Sequence, residues 1–344
     1  MPEFDPDAPA GAQSGIYGLP HGPDDARFIL IPVPWDATTS YRAGAADGPA
    51  AILRASHQVD LHDLETGDPY AAGIHMLEED PVLRQLGGEA RGAASYVIQA
   101  GGVIDGDFLG EQLAITNRLS AELNRWVHDE AERWLERGKI VGVVGGDHSA
   151  PFGAIQAIAA RHPGMGILHI DAHADLRRAY EGFEHSHASI MHNVMTQIPG
   201  VARLVQVGIR DIGSGEQAFI REAGGRILCH FEPDLAALRF GGESWGDQCA
   251  RILAGLPDEV YVSFDIDGLD PAYCPHTGTP VPGGLSFAQA TYLLRALGES
   301  GRRIVGFDLN EVAPGPEGDD WDGNVGARLL YKLIGWTLRS QTRT

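Results

Sequence analysis

The sequence predicts an α/β fold with a mostly parallel sheet, and three observations carry that expectation. Short apolar runs recur along the chain, each ending in polar residues or glycine. These runs are β-branched or apolar on both faces, the pattern of strands covered by helices on either side. The stretches between them show helical spacing, and strands that alternate with helices pair in parallel. With 344 residues, 43% of them hydrophobic and 21% charged, the chain can bury a sizeable core.

Taken in order, residues 1–25 are rich in Pro, Gly and Asp and read as a polar lead-in. They lack the basic and apolar regions of a secretory signal. Strands are expected at 28–33, 140–144, 166–170, 204–209, 226–230, 260–264 and 304–307. A long helix is expected over 108–136, where Leu113, Leu119, Leu123, Trp126, Val127, Trp134 and Leu135 fall near helical spacing and Gly138 follows as a stop. A second helix over 154–161 is closed by Pro163-Gly164, and a third spans 287–297. No repeat, low-complexity tract or linker divides the sequence, so residues 26–340 read as one domain behind a 1–25 extension.

Charge and cysteine content narrow the function classes. The 26 Lys and Arg against 47 Asp and Glu leave a formal net charge of −21. That surplus argues against a nucleic-acid or anionic-lipid surface, and it permits cationic ligands or divalent metals held by carboxylates. Most of it reads more plainly as a solvated, self-repelling acidic surface. Cys229, Cys249 and Cys274 form no C-x-x-C pair and are odd in number, which suits a reducing cytoplasm. No run of about 18 apolar residues occurs, so no membrane helix is expected.

Ligands of open parallel sheets bind beyond the carboxyl ends of the strands, and the polar residues of this chain gather there. Gly145-Gly146-Asp147-His148-Ser149 follows the run 140–144, with glycines for a tight exit and His148 at the strand end. Alone, such a His is more often a hydrogen-bonded structural residue. Asp171-Ala172-His173-Ala174-Asp175 follows 166–170. If the chain stays extended, residues two apart share a face, and Asp171, His173 and Asp175 converge. Asp265-Ile266-Asp267-Gly268-Leu269-Asp270-Pro271 follows 260–264, with Asp265 and Asp267 again on one face. Like charges at the end of an apolar strand are costly unless something positive sits between them. Asp270, before Pro271, reads as a turn former. The six donors His148, Asp171, His173, Asp175, Asp265 and Asp267 are too many for one tetrahedral zinc. They suit two harder ions sharing carboxylates, Mn²⁺ first and Ni²⁺, Co²⁺ or Fe²⁺ next.

These segments resemble the ureohydrolase family of arginases and agmatinases. Residues 145–149 match its GGDHS motif, 171–175 its DAHxD motif and 263–271 its SxDxDxxDP motif. Thr39-Ser40-Tyr41-Arg42-Ala43-Gly44 with Gly48-Pro49 is similar to the family's N-terminal loop, and 308–314 to its last active-site strand end. The resemblance runs from about residue 28 to 335. It implies a three-layer α/β/α sandwich of eight mostly parallel strands, one more than the runs counted above, and a homotrimer or homohexamer. It also implies that His148, Asp171, Asp175 and Asp265 bind one Mn²⁺, that His173, Asp171, Asp265 and Asp267 bind the other, and that Asp171 and Asp265 bridge them.

The implied reaction releases urea and an amine from a guanidino compound. A guanidinium carbon is a poor electrophile, so the site must supply a nucleophile, orient a planar cation and protonate a leaving amine. By resemblance Asp175 accepts a proton, Glu311 grips the guanidinium N–H groups, and His187 in Ser186-His187-Ala188-Ser189 exchanges protons with solvent. Ala188 stands where the family usually has Gly, and His185 rivals His187. The continuation Leu176-Arg177-Arg178 departs from agmatinases and resembles formimidoylglutamases, in which the Arg meets a substrate carboxylate. Arg177 then reads an acidic tail, as in arginine, guanidinobutyrate or formiminoglutamate, or else forms a loop ion pair with Glu181 or Glu184. Tyr180, Phe183 and Trp321 are expected as pocket walls or as core residues, and a small pocket would suit free guanidine. An agmatinase-like amidinohydrolase is the leading expectation. A zinc deacetylase on a related sandwich and a non-catalytic binding relative are the readings from other classes.

Overall fold

The computed structural model describes residues 4–11 and 14–341. Its strands are β1 (Phe28–Val33), β2 (Ile74–Met76), β3 (Ile140–Gly145), β4 (Met165–Ile170), β5 (Val201–Ile209), β6 (Ile227–Phe231), β7 (Glu259–Asp265) and β8 (Arg303–Asn310). They form one sheet in the order β2-β1-β3-β8-β7-β4-β5-β6, parallel at every pairing. All the expected runs are strands. The additional one is β2, a three-residue edge strand too short to show a pattern. β6, at the opposite edge, departs from the expected two-sided burial, because only Ile227 in it is fully buried.

The helices are α1 (Gly48–Ser56), α2 (Pro81–Gln99), α3 (Asp107–Leu135), α4 (Phe152–Arg161), α5 (Ile190–Gln197), α6 (Ser214–Glu222), α7 (Glu232–Phe240), α8 (Trp245–Leu253), α9 (Phe287–Glu299) and α10 (Trp321–Ser340). The three expected helices are α3, α4 and α9. Alternation along β1 shows the layering. Phe28 and Leu30 pack with Ile52 of α1 and Leu330 and Ile334 of α10, whereas Ile29 and Ile31 pack with Leu119, Leu123 and Val127 of α3. Farther along the sheet, Ile167 and Leu204 pack with Ile155 and Ile158 of α4 and Val194 of α5. Residues that point to opposite faces thus meet different helices, and the sheet is the middle of three layers.

The lead-in is less polar in place than its composition suggests. Ile16, Tyr17 and Leu19 are buried in the core beside α1 and α10. The Tyr17 backbone N–H donates to Ser56 Oγ at 2.9 Å, and its hydroxyl donates to the Ala327 carbonyl at 3.0 Å. Averaging over 25 residues hides three that dock. Among the described residues no helix is long and apolar enough to cross a membrane. The three cysteines are unpaired.

Candidate active site

The carboxyl ends of β3, β8, β7 and β4 lie side by side in the middle of the sheet. Close packing there explains the two glycines at the end of β3, Gly145 and Gly146. A Cβ on Gly145 would stand 1.9 Å from Asn310 Oδ1, and one on Gly146 would stand 1.8 Å from the Trp35 carbonyl oxygen. Only glycine admits this approach, and it carries the following His148 over the strand ends. Beyond β4 the chain does not stay extended. Asp175 takes φ 55°, a left-handed conformation rare for a residue with a side chain. This reversal, and not an i+4 alternation, turns Asp175 toward His148. Asp267 likewise sits in the short 3₁₀ turn Ile266–Gly268, where its backbone N–H donates to Asp265 Oδ1 at 2.8 Å.

His148 is the centre of the arrangement. Its Nδ1 lies 3.1 Å from Asp171 Oδ2, 3.2 Å from Asp175 Oδ2 and 3.3 Å from Asp265 Oδ2. All four side chains are buried. On the other side of the ring, Nε2 lies 2.9 Å from Ser263 Oγ, and that hydroxyl donates to Asp308 Oδ1 at 3.0 Å. With the serine proton committed to Asp308, Nε2–H of neutral His148 donates to Ser263. Nδ1 then presents a lone pair to three carboxylates, an arrangement that demands a cation between them. The same demand shows in the titration of the residues. Burial alone would push the His148 imidazole down, but its bonds to Asp171, Asp175 and Asp265 hold it well above the usual range. Burial, with the Asp171 charge, pushes the Asp175 carboxyl up to about 7. Burial, with the Asp267 and Asp171 charges, pushes Asp265 well up. The donor set therefore fits a metal ion.

A second group adjoins the first. His173 Nδ1 lies 3.1 Å from Asp267 Oδ2 and 3.5 Å from Asp171 Oδ1. Ligand atoms of Asp171, His173 and Asp267 all fall within 4.8 Å of one another, and Asp171 belongs to both groups. Glu311 approaches from β8. It too takes a left-handed φ, 62°, and its backbone N–H donates to the Gly146 carbonyl at 2.7 Å. Its Oε1 accepts the His148 backbone N–H at 2.9 Å, while Oε2 is buried without a partner. Burial and the Asp147 charge push its carboxyl well above the usual range. A buried carboxylate oxygen left open calls for a donor from outside the chain.

A cavity of about 160 Å³ opens over this floor, lined by His173, Asp175, Arg177, Tyr180, His187 and Thr279 among others. The Thr38 hydroxyl lies 3.2 Å from His187 Nδ1 and accepts the His187 backbone N–H at 3.1 Å. Burial and the neighbouring His173 push the His187 imidazole down to about 3. His185 does not line the cavity and packs its ring 5.5 Å from Phe152. Arg177 lies at the outer rim, its guanidinium 5.0 Å from the Tyr180 ring centre and Nε 3.6 Å from Glu216 Oε2. Its acidic partner is therefore Glu216, not Glu181 or Glu184, because α6 brings residue 216 against the loop. Of the three expected wall residues only Tyr180 lines the cavity. Phe183 is buried against Ala94 and Val97, and Trp321 is half-exposed at the start of α10 with its indole N–H on the Ala272 carbonyl. Asp270 forms the expected turn, accepting the Ala272 backbone N–H at 2.9 Å.

The family model described as "Arginase family" matches residues 26–335. The chain belongs to the arginase family. It shares with this family the hydrolysis of amidino C–N bonds. It is 34% identical to the N(1)-aminopropylagmatine ureohydrolase of Thermus thermophilus over 323 residues, 93% of this chain and 94% of that one. It is 30% identical to the guanidinobutyrase of Pseudomonas aeruginosa, over 97% of this chain and 93% of that one. The solved structure of proclavaminate amidino hydrolase from Streptomyces clavuligerus has the same fold, with a TM-score of 0.73 and 24% identity across 97% of this chain and 100% of that one.

Several residues of this arginase-family site were not singled out from sequence. His169 is the clearest. Gln206 Nε2 donates to the Ala174 carbonyl at 2.7 Å and lies 2.9 Å from His169 Nδ1. The His169 proton therefore sits on Nε2 and is donated to Asp171 Oδ2 at 2.8 Å. Although His169 lies within ligand distance of the first group, this bonding makes it a holder of Asp171 and not a metal ligand. The available signal was period-two spacing: His169 precedes Asp171 by two on one strand, as Ser263 precedes Asp265. Asp308 opens the 308–314 segment already matched to the family, but its bond to Ser263 was not visible there, and Thr38, Asp211 and Glu216 carried no signal, since only packing brings them near.

Proposed function

We propose that this chain hydrolyses a guanidino compound to urea and an amine at a centre of two divalent ions. The convergence of three buried carboxylates on the lone-pair face of His148 carries the reading. In it, His148, Asp171, Asp175 and Asp265 hold one ion, and His173, Asp171, Asp265 and Asp267 hold the other. Carboxylate and imidazole donors in this number favour Mn²⁺, with Ni²⁺, Co²⁺ and Fe²⁺ following. When bound, such a pair supplies a water acidic enough to be a nucleophile at neutral pH.

The chain's own residues bind and orient the substrate. The free Oε2 of Glu311 takes guanidinium N–H groups in a charge-assisted contact. Asp175, which lines the cavity beside the proposed ions, accepts the proton that the attacking water gives up. His187, favoured over His185 because it faces the cavity, passes a proton to the leaving amine. The same reading takes residues 26–340 as one catalytic domain acting in the cytoplasm as a homotrimer or homohexamer. The acidic surplus supports its engaging neither nucleic acid nor membrane.

Two substrate classes fit. An agmatine-like cation is favoured by the relatives named for agmatine derivatives. A carboxylated guanidino acid is favoured by Arg177 at the outer rim, and one relative is named a guanidinobutyrase. Urea release from a panel of agmatine, aminopropylagmatine, guanidinobutyrate, arginine and guanidine, with Mn²⁺ and with Ni²⁺, tests the proposal. Inertness towards every compound with either ion would overturn it.

A further inference from the structure

A single loop touches both the guanidinium-facing carboxylate and the second metal group. The Thr277 hydroxyl donates to the backbone carbonyl of Glu311 at 2.8 Å. Gly278 lies so close to Glu311 that a Cβ there would stand 3.2 Å from Oε2. Thr279 lines the cavity and turns its hydroxyl toward Asp267 Oδ2, 3.4 Å away. Residues 270–284 contain neither helix nor strand, so regular hydrogen bonding does not hold this segment in place.

Arg42 donates to the Pro275 carbonyl at 3.0 Å from the exposed side, and His276 supplies the anchor on the buried side. Its backbone N–H donates to Asp322 Oδ1 at 3.0 Å, and its ring Nδ1 donates to Asp322 Oδ2 at 2.9 Å. Both oxygens of one carboxylate thus grip the main chain and the side chain of one residue. Asp322 is fully buried, in the first turn of α10, where the helix dipole favours a negative charge. A buried carboxylate is a poor means of gaining stability, since its desolvation costs about what its bonds return. Its two-point geometry, by contrast, leaves the loop little freedom.

We propose that His276 and Asp322 are positioning residues that pin the 275–279 loop and thereby hold Glu311 at its substrate-binding place. This rests on the reading of Glu311 as the guanidinium acceptor. Holding acts through the Thr277 bond, which supports the left-handed backbone of Glu311, and through Gly278, which borders its open oxygen.

The test uses full-length, Mn²⁺-loaded His276→Ala and Asp322→Ala proteins, with Asp322→Asn as the conservative variant. On the guanidino compound turned over fastest, KM should rise about tenfold in both alanine variants, with kcat within about threefold. Metal per chain should stay unchanged, and Asp322→Asn should restore most of the KM. In a Glu311→Gln background, His276→Ala should add less than about twofold, because both changes act through one carboxylate. His276 is partly exposed, 28% for its side chain, so its variant carries the test should Asp322→Ala not fold. Unchanged KM in His276→Ala, or effects that multiply with those of Glu311→Gln, overturns the proposal. If the wild type turns over no guanidino compound, the functional reading fails, and calorimetric binding of guanidinium chloride then decides. Equal affinity of wild type and His276→Ala sinks this inference as well, and weaker binding by the variant sustains it.

Discussion

The carboxylate of Glu311 accepts the backbone N–H of His148 at 2.9 Å, across 163 positions of sequence. The group proposed to grip the substrate is therefore tied directly to the main chain of a proposed metal ligand. One of its oxygens is used for alignment, and the other stays open. Glu311→Gln keeps the shape and removes the charge. It should raise KM by roughly 10- to 100-fold, the worth of a charge-assisted bond, and leave metal content unchanged. Steady-state kinetics beside elemental analysis check this, and an unaltered KM would place Glu311 outside the binding site.

His148→Ala and Asp265→Ala should abolish urea release and lower the metal bound per chain. Removing Asp265 takes away an oxygen 3.3 Å from His148 Nδ1, and in the proposed ligand set that residue serves both ions. Undiminished turnover in the Asp265 variant would contradict the metal assignment.

Arg177→Ala separates the two substrate classes. If Arg177 meets a substrate carboxylate, kcat/KM should fall about tenfold or more for guanidinobutyrate and stay within about twofold for agmatine. Glu216, which already accepts the backbone N–H groups of Leu176 and Gly213 at 3.0 and 2.8 Å, keeps the loop in place when the arginine is lost. Equal losses on both substrates would reduce Arg177 to a loop ion pair.

The metal-stripped protein should become less stable as pH rises from 6.5 to 8. In that range an unfolded chain has ionised carboxyls and largely neutral imidazoles, with reference values of about 4 and 6.5. The folded, metal-free site holds extra protons, because Asp175 is pushed up to about 7 and His148 is held well above its usual range. The folded state binds more protons than the unfolded one, so stability falls with pH. His187, pushed down to about 3, is neutral in the folded state while its unfolded imidazole is half protonated at pH 6.5, so it opposes the trend at the lower end of the window and takes little part above about pH 7.5. Thermal melts after chelation should show a Tm that drops across the window, and added Mn²⁺ should raise Tm more at pH 8 than at pH 6.5. A flat profile would mean that the acidic cluster does not hold protons in place of metal.

Much of this was legible in the chain. Six of the strands were visible because each buried run is apolar on both faces and β6 because its run is apolar although only Ile227 is fully buried, and the edge strand β2 was missed because three residues make no pattern. Each donor segment alone had a bland reading; three of them at successive strand ends, matching three family motifs in order, made the cluster of side chains legible. The geometry that joins them was not. Extended alternation was expected to align Asp171 with Asp175 and Asp265 with Asp267, yet a left-handed residue and a 3₁₀ turn do so instead. His169 and Ser263 each stand two residues before a proposed ligand on the same strand, a spacing that puts them on its face, but which groups they bond to, Asp171 and Asp308, only packing decides. Whether Phe183 and Trp321 were pocket walls or core residues stayed open for a related reason: an aromatic's side of a loop depends on what packs beneath it.

The sequence by itself determined that a parallel sheet would end in imidazoles and carboxylates, since strand patterning and donor chemistry are local properties. Only the tertiary structure decided which nitrogen of His148 faces the acids, which oxygen of Glu311 stays open, and which acid partners Arg177. Each of those depends on contacts between segments far apart in the chain, made wherever packing brings the ends of β3, β4, β7 and β8 together.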